Sequence, residues 1–352
     1  MKGNWLGERR TDRALRRNRR PPKPLAASAV LIACVFASTL TVVASAAPTA
    51  SQARSYSITD LGTLGGASSS ASAINNRGQI VGSSDVTGSA DEHAFLYSRG
   101  WMRDLLPGST QSSATDINNR GEVVGSSEFR AFLYRRGQVT AIGFGGASSF
   151  AEGINDRGEV VGTAELPAPS FGSHAFLYRH GEITDLTPML SAFSLAVGVN
   201  DRGTVVGWSD SGLGGFAPSP FLWRNGTLTG LDLTPAGDDV AAPSGINNAG
   251  EVVGQSNSLA TGEFHAVLLS HGNPISLGLG SAISINNRGQ VVGQGPGGAF
   301  LYQKGIRIDL NSVLPAGSGW VLSFAGDIND RGQIVGGGIH NGAFHAFLLS
   351  PN

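Results

Sequence analysis

Nine residues, INNRGQIVG at 74–82, return six more times along this chain with few changes. The copies are INNRGEVVG (117–125), INDRGEVVG (154–162), VNDRGTVVG (199–207), INNAGEVVG (246–254), INNRGQVVG (285–293) and INDRGQIVG (328–336). The leading Ile or Val advances by 43, 37, 45, 47, 39 and 43 residues. A unit of that length cannot bury its own apolar face, so neighbouring units must stack and share a core. Strand and turn signals fill each period. The spacing therefore predicts an all-β fold, a seven-bladed β-propeller of four-stranded antiparallel blades.

The second repeat shows how one unit divides. Strand A is SSATDIN (112–118), strand B is EVVGSS (122–127), strand C is AFLYRR (131–136) and strand D is QVTAIG (138–143). In the A–B turn, Asn75 can hydrogen-bond its own backbone two residues on, and Gly78 accepts a left-handed conformation. The consecutive Val-Val or Ile-Val of strand B sends apolar groups to both faces, as a strand between two neighbouring sheets requires. The glycine that follows (Gly125 in this unit) and the small residue three before the leading Ile (Ala114) suit close approach near a crowded axis.

The two ends of the repeat array predict closure. The seventh unit ends at strand C, HAFLLSPN, and has no strand D of its own. A matching piece, SITDL at 57–61, precedes the first strand A and shares four letters with EITDL at 182–186. An open solenoid wants polar caps, whereas a ring wants its last edge paired. Residues 55–62 are expected to supply the outer strand of the last blade.

Composition places the chain outside the envelope of nucleic-acid binders. Residues 1–46 carry nine Lys+Arg and two Asp+Glu, with an apolar run ending in Ala44-Ser45-Ala46. That pattern reads as an export signal with a basic n-region, followed by a short linker at 47–54 and one propeller domain at 55–352. An uncleaved anchor or a lipid attached at Cys34 are the alternatives. Without residues 1–46 the balance is 25 − 9 = 16 basic against 26 − 2 = 24 acidic, a net charge of about −8. The expectation is a secreted or envelope monomer with no nucleic-acid partner and no membrane insertion after cleavage. Cys34 is the sole cysteine, so the exported part forms no disulfide and no thiolate metal site.

HAFLYSRG (93–100), HAFLYRHG (174–181) and HAFLLS (345–350) each follow an IN-x-x-G-x-VVG or IN-x-x-G-x-IVG turn. These residues resemble the HAF-repeat family of predicted extracellular bacterial proteins, over 56–352. The resemblance implies an exported repeat protein and no particular activity.

Function is expected on the face that varies. A–B and C–D turns are short and alike. B–C loops range from QGPGG (294–298) to WSDSGLGGFAPS (208–219), and D–A connections vary too. A rigid scaffold with one variable face usually recognises its ligand there, and the axis is expected to open on that side. Phe129, Phe171, Trp208, Phe216, Phe264, Trp320 and Phe344 fall on those loops, with Phe150, Phe193 and Phe324 near the start of strand A. They suit stacking on a glycan, a peptide or a small organic ligand, or plain packing between blades.

Asp116, Glu152 and Asp327 lie just before the leading Ile of their units and are the acid–base candidates, with solvated charge as the simpler reading. His93, His174, His265 and His345 open strand C, but Arg130, Ser219 and Gly298 replace them elsewhere. That freedom points to a blade-to-blade hydrogen-bonding role. His340 departs from the repeat and is the better functional candidate. No metal site and no cofactor are expected, a Ca²⁺ held by loop or axial carboxylates being the one alternative. No nucleophile elbow, phosphate loop or HExxH motif occurs. The reading is a binding module using the B–C and D–A face, with a secreted lyase or hydrolase at the axial mouth as the alternative.

Overall fold

A computed structural model describes residues 55–89, 91–170, 172–188, 193–210 and 219–352. The proposed export signal (1–46) and linker (47–54) lie outside the described residues. The described chain forms seven four-stranded antiparallel sheets. The blades span 65–104, 112–142, 149–185, 194–230, 240–279, 281–309 and 320–351, and the last also takes Tyr56–Asp60. Each runs A-B-C-D from the axis outward. One 3-10 turn, Leu310–Val313, interrupts the strands.

The N-terminal strand closes the ring as expected. Tyr56–Asp60 pairs antiparallel with Ala343–Pro351, setting Ile58 opposite Leu349 and Asp60 opposite Phe347. The last sheet is thereby completed by residues almost 300 positions away in the chain, and its outer edge does not end on strand C.

The double apolar step in strand B builds two cores at once. Val123 packs with Ala73, Val81 and Leu96 of the preceding blade, while Val124 packs with Ala151, Ile154 and Val160 of the following one. Phe132 and Leu133 on strand C divide the same way. The core is thus a cycle of seven inter-blade layers. No blade keeps one to itself, which is why one repeat alone is not a folding unit.

Strand A carries an irregularity at one fixed place. The register slips between Ala114 and Asp116, and again between Ala151 and Gly153, with equivalents in every blade. The extra residue of each bulge pushes the backbone toward strand B. A Cβ on Gly125 would strike the carbonyl oxygen of Ser113, and one on Gly162 that of Phe150. The repeated glycine therefore answers a bulge within its own blade, a closer contact than the sheet-to-sheet approach expected from sequence. The alanines facing it, Ala114 and Ala151, are buried.

Candidate functional site

The A–B turns meet around the axis and explain the repeated asparagine. Asn75 Oδ1 accepts from the backbone N–H of Arg77 and Gln79, both at 3.0 Å. Its Nδ2 donates to Gln79 Oε1 and to the backbone oxygen of Asn118 in the next blade. The same inter-blade bond recurs from Asn118, Asn155, Asn200, Asn247, Asn286 and Asn329, the last returning to Asn75, at 2.9–3.1 Å throughout. A second ring runs beside it. The backbone N–H of Asn76, Asn119, Asp156, Asp201, Asn248, Asn287 and Asp330 each donates to the next blade's Asn or Asp Oδ1, at 2.7–2.9 Å. Fourteen bonds thus tie the blades into a closed cycle. Sequence reading assigned Asn75 to its local turn and missed the partner 43 residues on. The signal was present, since Asn in that position of all seven copies exceeds what one turn demands.

These rings wall an axial cavity of about 200 Å³. It lies on the face of near-identical turns, not on the variable face where an opening was expected. Asp116 and Asp327 also line it, and neither is a solvated loop charge. Asp116 accepts from Ile117 N at 2.7 Å and from Ile154 N in the next blade at 2.8 Å. Asp327 accepts from Ser284 Oγ at 2.5 Å and from Ile74 N at 2.8 Å. Burial, with help from the Asp327 charge and against the backbone bonds, pushes the Asp116 carboxyl up to about 7. Burial raises Asp327 as well. Asp116 ties its own blade to the next, and Asp327 ties its blade to both neighbours, so both are engaged in structure.

The strand C histidines are also structural; His265 pairs with Asp238 on the connection from the fourth blade at 3.0 Å, and in the other three the bond stays inside a blade. His93 Nδ1 lies 2.7 Å from Asp104 Oδ2, and His174 Nδ1 2.8 Å from Asp185 Oδ2. Each joins the start of strand C to the end of strand D. The blade-to-blade role expected of them belongs to the asparagine rings. In the last blade the equivalent His345 holds Asp60, and His340 joins it on the same carboxylate oxygen, at 2.9 and 2.8 Å. Burial pushes the Asp60 carboxyl up, yet hydrogen bonds from His345, Gly62 and His340 hold it below the usual range.

The variable face gathers four of the expected residues, Phe150, Glu152, Phe193 and Trp208. Phe150, Glu152, Phe193 and Leu195 line a cleft of about 260 Å³ between the third and fourth blades, with Ser148, Thr163 and Glu165. Trp208 backs it, its ring 5.3 Å from that of Phe193. Glu165 is occupied by Ser148, whose N–H donates at 3.1 Å. Glu152 has no hydrogen-bond partner among the described residues, and burial alone pushes its carboxyl up to about 7. It is the bulge residue of its strand, lying between Ala151 and Gly153 where the register slips. It is a half-buried carboxyl beside aromatic rings, and no cation lines the cleft to neutralise it.

The other aromatic candidates do not join this cleft. Trp320 is only 8% exposed and packs in the last blade's core, stacked 4.5 Å from His340 and edge-on to Phe347. Phe324 and Phe344 lie over Gly337, where a Cβ would meet both rings. Phe129, on a B–C turn, and Phe264, at the start of a strand C, are exposed and do not line the cleft. Phe171 and Phe216 lie outside the described residues.

No family model matches the chain, and no curated protein matches it. Among solved structures, the chain is similar to an oligogalacturonate lyase in complex with manganese, at 11% identity and a TM-score of 0.56, covering 86% of this chain and 94% of that one. It is also similar to a gluconolactonase from Xanthomonas campestris, at 10% identity and a TM-score of 0.45, covering 85% and 91%. Identities this low establish a shared architecture. The described chain is a seven-bladed β-propeller, closed by its N-terminal strand.

Proposed function

We propose that this protein is an exported binding module that takes a ligand with an apolar face and a polar group in the cleft between the third and fourth blades. The observation that carries the reading is the meeting of Phe150, Phe193 and Glu152 around one opening. Aromatic walls favour the C–H face of a sugar ring or a peptide side chain, and a carboxyl poised near neutrality can donate or accept one hydrogen bond. Export is supported by the basic and apolar pattern of residues 1–46. Membership of the HAF-repeat family rests on the seven quoted repeats and fits the same reading.

An enzyme at the axial mouth is the weaker alternative. Its acid–base candidates are dispersed, Asp116 and Asp327 in the axial cavity, Glu152 in the cleft and His340 on the last blade. A glycan and peptide array probed with wild type and with Phe150→Ala/Phe193→Ala tests the proposal. Ligands retained by wild type and lost by the folded double variant support it. Ligands held equally by both place recognition elsewhere.

A further inference from the structure

We propose that Asp60, His340 and His345 form a binding site for a transition-metal dication of the Zn²⁺ class on the loop face of the last blade. The two Nδ1 atoms approach one carboxylate oxygen at 2.8 and 2.9 Å, and all three ligand atoms lie within 4.8 Å of one another. Among the described residues no other trio of His, Cys, Asp or Glu comes so close. Tetrahedral Zn²⁺ sets neighbouring donor atoms about 3.3 Å apart. An ion entering between them therefore needs the groups to part by roughly half an ångström. Two imidazoles and one carboxylate suit such ions and leave positions open for water or a ligand.

The other blades show what the structural latch needs by itself. His93–Asp104 and His174–Asp185 hold strand C to strand D with a single imidazole. Only the last blade adds a second ring. His340 stands where other repeats have Val86, Phe129, Leu166, Ser258 and Gly297, so the repeat gives it no structural duty. Its ring is nonetheless held firmly, lying 2° from parallel to Trp320. Its far nitrogen, Nε2, meets Asn341 Nδ2 at 3.1 Å. With Nδ1 on an ion, Nε2 would carry the ring proton, so the Asn341 amide would have to turn its Oδ1 toward it to act as the outer acceptor. His93 and His174 are 8% exposed, whereas His340, His345 and Asp60 are 24, 21 and 29% exposed, within reach of an ion from solvent.

The experiment is a calorimetric titration of chelator-stripped protein with ZnCl₂. Co²⁺ serves as a visible-absorption probe, and tryptophan fluorescence reports the ring stacked on His340. One ion per chain, Co²⁺ bands of low-coordinate form and quenching of fluorescence are expected. His340→Gln should weaken binding at least tenfold while the metal-free variant still unfolds cooperatively, because His345 still latches Asp60. His271→Gln, on an exposed turn, should bind as wild type does. Absence of saturable one-to-one binding, or equal affinity in wild type and His340→Gln, overturns the proposal.

Discussion

Asn329 donates its side-chain amide to the backbone oxygen of Asn75 across 254 residues of sequence, at 3.0 Å. This bond completes a ring whose other six members join consecutive blades. In the same residue, Oδ1 accepts from the N–H groups of Arg331 and Gln333, so one buried side chain serves both turn and closure.

Replacing Asn329 with Ala strands those two N–H groups and breaks the inter-blade bond, although the Asn75 carbonyl still accepts from Gly78 N–H. Each buried group left unpaired costs about 1–3 kcal/mol. Asn329→Ala is expected to lose roughly 3 kcal/mol in urea unfolding. Asn329→Asp keeps the acceptor and loses the donor, and should fall between Ala and wild type.

Removal of residues 55–62 takes away the strand paired with Ala343–Pro351. The last sheet would then end on strand C with unpaired backbone groups and the shielding of Leu349 reduced. A clear drop in melting temperature and a rise in aggregation by light scattering are expected. A truncated protein that melts like the full chain would disprove closure by this strand.

Gly162→Ala and Gly137→Ala separate two roles of glycine. The first would press a methyl into the carbonyl of Phe150 behind the bulge; the second has open space around it and a φ of +85°. Gly137→Ala should cost about 1 kcal/mol for its left-handed backbone alone. Gly162→Ala should cost more than about 2 kcal/mol by chemical denaturation, because the obstacle is backbone and cannot rotate away.

Glu152→Gln should alter the dependence of stability on pH. The folded carboxyl is raised to about 7 from 4.5, so the folded state holds its proton more tightly than the unfolded chain. That contribution is fully present below pH 4.5 and is lost as pH rises through about 7. Relative to wild type, Glu152→Gln is expected to gain on the order of 2 kcal/mol between acid and mildly basic pH, allowing for partial solvent access. Parallel stability curves for the two proteins would show that Glu152 ionises freely. Ligand affinity measured over the same range reports which protonation state the cleft uses.

Much of the fold was legible because its causes repeat at short range. Val123-Val124 states in two letters that a strand lies between two cores, and SITDL beside EITDL reveals which strand is displaced to the other terminus. The cleft was legible only as separate residues. Phe150 and Glu152 are two apart on one strand, but Phe193 arrives from the next blade and Trp208 from behind it. Trp320 was misplaced for the opposite reason: a loop-edge aromatic looks exposed until a neighbouring ring covers it.

The amino-acid order by itself determined the period, the four strands, the apolar faces and the shared last blade, because alternation and turn chemistry act between residues a few positions apart. Tertiary structure alone decided that Asn75 faces Asn118, that the axial cavity lies on the side of the uniform turns, and that His340 and His345 share Asp60. Those pairings depend on how sheets rotate and stack about an axis. Such rotation brings together side chains that no local pattern in the chain connects.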